Sequence, residues 1–404
     1  MSERIETGCC IAGGGPAGMM LGYLLARQGI DVTVLEKHAD FLRDFRGDTV
    51  HPSTMQVLHE LGLLEAFLKR PHQKTEQIAL HLNGDTYDIV DFTHLPVAAK
   101  FVAFMPQWEF LDFLADEARK FPNFTLMMET RADELLVDEG RVCGVWASRG
   151  DRTLEIHSPL TVACDGRDST LRPAAGLNLI EKGAPIDVLW FRLPREDHHG
   201  ETQSLGYMKA GGFLVTLNRG DYWQCALVIR KGAEEMVRKQ GLEAFRKRIA
   251  HLAPHLGDAA MAIASLDDVK ALNVQVSRLE CWWRKGFLAI GDAAHAMSPV
   301  GGVGINLALQ DAIATARILE ENLQVGSVPS AMLKTVQKRR EWPAKITQSA
   351  QVFAHNRVVF PALDAEGELD VPWLIKLLDR VPMLRRLPAR AIGLGPRPEH
   401  WRGD

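Results

Sequence analysis

Residues 8–36 read GCCIAGGGPAGMMLGYLLARQGIDVTVLE. Cys9–Ala12 is an apolar run of strand length, and Gly13, Gly15 and Gly18 follow as G-x-G-x-x-G, with Ala17 just before the last. Met19–Gln28 is Leu/Ala-rich and of helical length. Gly29 ends it, and Ile30–Leu35 is a second apolar run closed by Glu36 and Lys37. The order is strand, glycine turn, helix, strand, acid. In such a unit one glycine makes a tight turn, one lets the backbone approach a pyrophosphate, and one permits close helix–strand packing. The helix N-terminus offers N–H groups and a positive dipole end to phosphates. A carboxylate at the end of the second strand accepts hydrogen bonds from ribose hydroxyls and disfavours a 2′-phosphate. The stretch therefore predicts a site for FAD or NAD rather than NADP.

Composition sets the outer limits. A chain of 404 residues is long enough for two or three domains. Its 46% apolar and 24% charged residues suit an ordinary globular core. The net charge of −4 leaves no nucleic-acid footprint. Six cysteines lie in apolar strand-like runs without metal spacing and read as buried thiols of a reducing compartment. No signal peptide precedes the glycine turn, and no stretch reaches the roughly 20 apolar residues that span a bilayer. These features predict a soluble, cytoplasmic protein without integral membrane association.

Along the chain, Ser53 has capping-box spacing to Gln56 and opens a helix with Met55, Leu58, Leu61, Leu64 and Leu68 on its apolar face. A second helix covers 108–119. The apolar run Leu160–Cys164 leads into Asp165-Gly166-Arg167-Asp168-Ser169. Residues 183–276 change character: long alternating or wholly apolar runs flank a helical segment at 233–252, which predicts an antiparallel sheet with a helix. The run Phe287–Ile290 then ends at Gly291-Asp292, and a Pro/Gly loop from Pro299 to Gly304 opens a long Ala-rich helix. The expected fold class is α/β: a Rossmann-like nucleotide domain (1–180 and 277–345) interrupted by a sheet domain at 181–276, with a C-terminal helical tail at 346–404. Pro372, Pro382 and Pro388 interrupt that tail, which is expected to pack on the nucleotide domain; a membrane-surface element is the alternative.

Three motifs now stand in order: GGGPAG with Glu36, CDGRDS, and GDAAHAMSPVGGVGIN. Together they resemble the single-component flavoprotein monooxygenases of the para-hydroxybenzoate hydroxylase type, over about residues 6–345. The resemblance implies FAD. Its ADP part falls to the first motif, and Asp165 and Gly166 serve both FAD and the nicotinamide donor. Asp292, next to Gly291, binds the ribityl or pyrophosphate side. The Gly301–Gly304 loop lies against the isoalloxazine, and Ile305 and Asn306 follow it in the motif. Arg46 and Gln107 match an arginine and a glutamine that contact FAD. Val303 departs from a common glutamine, and a second proline beside Pro299 is missing.

By the same resemblance NADH or NADPH reduces the flavin transiently, and O₂ then adds at C4a to give a hydroperoxide that hydroxylates an aromatic carbon. Such chemistry belongs to the cofactor, while the protein orients substrate and excludes water. Backbone N–H groups near Pro299, Gly301 and Gly302 suit the peroxide, and His51 is a candidate base for a phenolic proton. His295 reads as structural. His198 and His199 lack further metal ligands, so no metal is expected. Trp190, Arg192, Tyr207, Phe213, Trp223 and Gln224 are the candidate substrate residues, although the apolar strands do not say which face lines the pocket. Few cations stand in those strands, which predicts a neutral, fairly large aromatic small-molecule substrate of phenolic type, provided that Arg192 faces away from the flavin. Competing readings are a quinone-precursor hydroxylase or prenyl-lipid reductase of related fold, and a non-catalytic FAD-binding protein. A homodimer stays open.

Overall fold

The computed structural model describes residues 3–42, 49–195 and 205–401. Its central sheet has six strands in the order Trp283–Arg284, Phe287–Ala289, Thr161–Ala163, Cys9–Ala12, Val32–Leu35 and Phe124–Met127. All neighbours are parallel except the first pair. Cys9–Ala12 and Val32–Leu35 are buried at every position, which is why their sequences run apolar without alternation. Helix Pro16–Arg27 packs on helices Gly304–Gln324 and Gln107–Ala118. All six cysteines are free; Cys143 and Cys281 are only half-buried, unlike the other four.

A second, seven-stranded sheet runs Lys270–Leu272, Ile186–Pro194, Tyr222–Arg230, Gly212–Asn218, Leu205–Lys209, Gln77–Leu82 and Asp85–Asp91. It is antiparallel except where Leu205–Lys209 meets Gln77–Leu82. Its last two strands come from within residues 1–180, so the sheet is not drawn from 181–276 alone. The expected run at 266–276 is strand only at Lys270–Leu272. The expected capping box at Ser53 does not form either. The helix begins at Pro52 with no side-chain cap, and Ser53 Oγ donates instead to Asn306 Oδ1 at 2.8 Å.

The C-terminal segment folds as short helices at Phe360–Asp364, Trp373–Arg380 and Arg386–Gly393. Prolines stand at or next to the start of the first two. The tail packs on the seven-stranded sheet as well as on the nucleotide unit: Gly393 is so close to Leu95 and Phe92 that a Cβ there would meet Leu95 Cδ1 at 2.8 Å. Farther on, Trp401 enters the main core and its backbone N–H donates to Glu60 Oε2 at 2.7 Å. Trp373, Leu374, Met383 and Leu387 remain exposed. Among the described residues no helix is long and apolar enough to cross a membrane.

Beneath this layer lies a buried charge network. Arg340 has no solvent exposure, and its guanidinium donates to Asp311 Oδ1 at 3.0 Å, Glu399 Oε1 at 3.1 Å and Gln310 Oε1 at 3.0 Å. Removing one member of such a network strands its partners in a low-dielectric interior. Arg340→Met should therefore cost about 3–5 kcal/mol, read as a lowered urea midpoint; an unchanged midpoint would show that the two carboxylates do not depend on this cation.

Candidate active site

The glycine turn divides its labour among three positions. Gly13 has φ +109°, and a Cβ there would lie 2.4 Å from the Cys164 carbonyl oxygen. A Cβ on Gly18 would lie 1.9 Å from the Gly13 carbonyl oxygen. Gly15 differs: a Cβ there meets nothing within 4 Å. Its backbone faces open space at the N-cap of helix Pro16–Arg27, which has no side-chain cap. The first helical bond is Met19 N–H to the Gly15 carbonyl, so the N–H groups of Ala17 and Gly18 precede it. Glu36 is buried beside the turn, its carboxylate accepting from Gly14 N–H and His38 N–H, both at 3.0 Å. Lys37 is exposed.

The second and third motifs meet across the same end of the sheet. Asp165 Oδ2 accepts from Thr170 N–H at 2.9 Å, while its Oδ1 is buried without a partner. Gly166 has φ +87°. Arg167 Nη2 lies 3.6 Å from Asp292 Oδ2 and so ties CDGRDS to Gly291-Asp292. Gly291 N–H donates to Asp311 Oδ2 at 3.1 Å, and His295 Nε2 donates to the same oxygen at 2.5 Å. His295 thus has the structural role its sequence suggests. Opposing charges hold the Asp311 carboxyl below its usual range despite burial, which acts the other way.

The Pro299–Gly304 loop is held from outside. The Gly302 carbonyl accepts from Thr49 Oγ1 at 2.9 Å and lies 3.0 Å from His51 Nε2. In a trans peptide C=O and N–H point opposite ways, so the Val303 N–H is turned away from Thr49 and His51. Gly301 and Gly302 have φ of +81° and +62°, a region that favours glycine. Ser298 bonds His355 at 2.8 Å, and Gln351 Nε2 donates to the Ser298 and Val300 carbonyls. Gly304 and Ile305 open the long helix; Asn306 Oδ1 accepts from both Ser53 and Thr54. None of Thr49, Gln351, His355 or Arg340 was singled out in the sequence, because each acts on a partner more than 25 residues away.

His51 is not placed to take a substrate proton. It is buried, with Nδ1 2.9 Å from the Ile392 carbonyl and Nε2 on the Gly302 carbonyl. It stands between the loop and the tail helix instead, and the neutral ring donates its single N–H to one of these two carbonyls. Gln107 begins its helix, half-buried. Arg46, His198 and His199 lie outside the described residues. Among the described residues no group of three His, Cys, Asp or Glu is placed to hold a metal.

The seven-stranded sheet has two unlike faces. Tyr207 and Trp223 lie on the face covered by helix Glu234–Leu252, packed with Phe191, Leu227 and Phe245. Tyr207 bonds His255 at 3.1 Å. These two are core residues of that layer, not neighbours of the loop. The other face carries Trp190, Phe213 and Val215, which share one apolar cluster with Val300 of the loop and with Val359 and Leu363 of the tail. Strand alternation puts Arg192 and Gln224 on this face too, so the neutral-substrate expectation turns on where the Arg192 guanidinium lies rather than on its face of the sheet. Its guanidinium is exposed and lies over the Tyr222 ring, 4.9 Å from the centroid. Gln224 donates its amide to the Phe191 carbonyl.

The residues fit FAD: an open backbone cradle at Gly15, a carboxylate at Glu36 fixed beside it by the Gly14 and His38 N–H groups, and an unpartnered buried oxygen on Asp165. A protein family described as FAD binding domain matches residues 6–350. The chain belongs to this family. It is 31% identical over 347 residues to a 6-methylpretetramide 4-monooxygenase of Streptomyces rimosus, covering 84% of this chain and 81% of that one. It is 26% identical over 317 residues to a para-nitrophenol 4-monooxygenase of Pseudomonas sp., covering 76% and 75%. The crystal structure of p-nitrophenol 4-monooxygenase from Pseudomonas putida superposes with a TM-score of 0.79 over 96% of this chain and 97% of that one, at 20% identity. The chain is thus an FAD-dependent aromatic monooxygenase of the para-hydroxybenzoate hydroxylase type, as its three motifs imply.

Two outcomes follow for this FAD-binding family member. Gly15→Val should keep its unfolding free energy within about 0.5 kcal/mol yet purify with little flavin, whereas Gly18→Ala should impair folding; absorbance against thermal denaturation separates them, and full flavin in Gly15→Val would remove the pyrophosphate from this turn. The second concerns pH. Burial lowers the pKa of His51 and of His355 below the usual histidine value. The unfolded chain then binds more protons, so their contribution to stability is present above about pH 6.5 and is lost as pH falls through the folded values. Melting temperature should drop on acidification from that pH, and His51→Gln should make the drop shallower; an equally steep profile in the variant would exclude His51 as a source.

Proposed function

We propose that this enzyme hydroxylates a fairly large, neutral aromatic substrate of phenolic type, with NADH or NADPH as transient electron donor and O₂ as co-substrate. Bound FAD would supply the redox chemistry, taking electrons from the nicotinamide and activating oxygen for transfer to the ring. The observation that carries the reading is the cluster joining Val300 of the loop to Trp190, Phe213 and Val215 of the sheet. It makes that sheet face the surface opposite the loop where the isoalloxazine is proposed to lie. Residues 1–180 and 277–345, apart from the strands Gln77–Leu82 and Asp85–Asp91, would bind the nucleotide, and the seven-stranded sheet and tail would cover the substrate and exclude water. Asp292 and the N–H groups at Gly304, Ile305 and Asn306 would hold the flavin side of the cofactor, and Glu36 its ribose.

Substrate class follows from what the covering face offers. Apart from Arg192 and Gln224 the side chains named on it are apolar, and Ile392 and Phe104 extend the same surface. Arg192 is stacked on Tyr222 at its exposed end. A buried carboxylate far from any cation would cost several kcal/mol, roughly. The indole Nε1 of Trp190 is buried without a hydrogen-bond partner and would donate to a substrate oxygen. The relatives named above are named for 6-methylpretetramide and para-nitrophenol, neither a benzoate.

NAD(P)H oxidation tests this directly. Neutral polycyclic phenols should stimulate at least about tenfold better in kcat/KM than small hydroxybenzoates, a difference of about 1.4 kcal/mol. Trp190→Phe should raise KM for the phenols about 2- to 10-fold, the value of one hydrogen bond. Best stimulation by hydroxybenzoates, abolished in Arg192→Ala, would make Arg192 the carboxylate anchor and sink the neutral-substrate reading. Flavin that no donor reduces would favour a non-catalytic FAD-binding protein.

A further inference from the structure

The tail helices are apolar on the side that faces out as well as on the side that faces in. Helices Trp373–Arg380 and Arg386–Gly393 both lie against strand Asp85–Asp91, on the sheet face that carries Trp190 and Phe213. Ile375 packs there against the cluster of Leu80, Leu82 and Met208, and Asp379 Oδ1 accepts from Asp88 N–H at 3.1 Å. Ala389 and Gly393 are buried beside Phe92. Residues one turn apart share a helix face, so Trp373, Leu377 and Arg380 stand on the far side of the first helix, and Leu387 and Ala391 on the far side of the second. Trp373 is 74% exposed, Met383 between the helices 69% and Leu387 65%, with Leu374 and Val381 exposed beside them. A surface helix of a globular protein ordinarily turns its polar side outward, so this outer stripe needs an occupant.

The charges on the same face say which occupant. From Pro372 to Gly393 the sequence has five cations and one acid. The acid, Asp379, is taken by Arg385, which also pairs with Asp88 at 3.0 Å. Arg386 shares the field of Asp91. Lys376, Arg380 and Arg390 are exposed and form no ion pair among the described residues. The nearest run of acids, Glu366, Glu368 and Asp370, comes before the helices start, at the hairpin tip where Leu369 N–H donates to Asn83 Oδ1 at 3.2 Å. Exposed Trp and Leu bordered by Lys and Arg is the make-up of a helix that lies in the plane of a bilayer surface. The ring and branched chains enter the boundary between headgroups and acyl chains, and the cations meet anionic headgroups. A second copy fits worse, because a twofold contact would set this patch against itself, cation facing cation.

We infer that the outer face of these two tail helices docks the enzyme on an anionic lipid surface. The contact is peripheral: Trp373, Leu374, Met383 and Leu387 enter the headgroup boundary while Ile375, Ala389 and Gly393 stay packed on the sheet.

The test mixes FAD-saturated protein with vesicles of phosphatidylglycerol and phosphatidylcholine in equal parts, or of phosphatidylcholine alone, and reads the bound fraction by flotation. The expected result is saturable partition onto the mixed vesicles, weaker by about tenfold or more onto phosphatidylcholine alone. The Trp373→Gln/Leu387→Gln variant and the Lys376→Gln/Arg380→Gln/Arg390→Gln variant should each lose about tenfold or more in partition while keeping the flavin content and melting temperature of the parent. Lipids with brominated acyl chains should quench tryptophan fluorescence in the parent and less in Trp373→Phe. No binding to the mixed vesicles, full binding by either multiple variant, or quenching unchanged in Trp373→Phe would overturn the docking face. Self-association of the lipid-free protein, abolished by Trp373→Gln/Leu387→Gln and unaccompanied by vesicle binding, would overturn it in favour of a second copy. None of these readouts uses turnover or depends on which aromatic substrate the enzyme takes.

Discussion

One buried carboxylate sets the geometry of the flavin side of this molecule. Asp311 lies two turns into helix Gly304–Gln324 and accepts from Gly291 N–H, His295 Nε2 and Arg340 Nε. Those donors come from the start of the third motif, from its middle and from the following long helix. A carboxylate with so little access to water needs every one of these donors, since an unmet lone pair in the interior costs about 1–3 kcal/mol or more. The demand fixes where the strand end at Gly291 stands relative to the helix that begins at Gly304. The loop between them, which is proposed to lie against the flavin, is therefore strung between two points that cannot drift apart.

The loop's outer side is governed by main-chain hydrogen bonding. Thr49 and His51 engage the Gly302 carbonyl, and Gln351 engages those of Ser298 and Val300. Several of the loop's N–H groups are used close at hand, Ser298 N–H on Gln351, Val300 N–H on Ser298 Oγ and Gly302 N–H on the Pro299 carbonyl, while the Val300 side chain packs toward the sheet face with Trp190 and Phe213. A polar shell behind and an apolar wall in front keep water away from the space between them.

How far the sequence carried varies with the range of the interaction. The strand–turn–helix conformation at Gly13, Gly15 and Gly18 was legible because the turn's geometry is dictated within thirty residues, and so was the place of Glu36 at the end of its strand. The middle sheet was legible from its apolar runs, but its faces were not. Both sides are covered, one by helix Glu234–Leu252 and the other by loop and tail, so alternation of polarity is erased and Tyr207 and Trp223 looked as eligible as Trp190. Ser53 carried a valid capping signal that a tertiary partner, Asn306, overrode. Arg340 sits in a run with Lys338 and Arg339, and no local pattern marks the one of the three that is fully buried. His51 is instructive in the opposite sense: its position near the loop was right, and its chemistry is set by two carbonyls, one of them 341 residues away.

That last contact also orders events during synthesis. The loop at Gly302 leaves the ribosome well before Ile392, the other end of the His51 clasp. At 5–20 residues per second the interval is roughly 4–18 s, ample for domain-scale collapse. Throughout it the nucleotide cradle has all its own strands while the wall contributed by Arg386–Gly393 does not yet exist. A nascent chain thus passes through a stage in which its dinucleotide cleft is formed but unlatched, and a cofactor captured then would be enclosed by the chain's own completion.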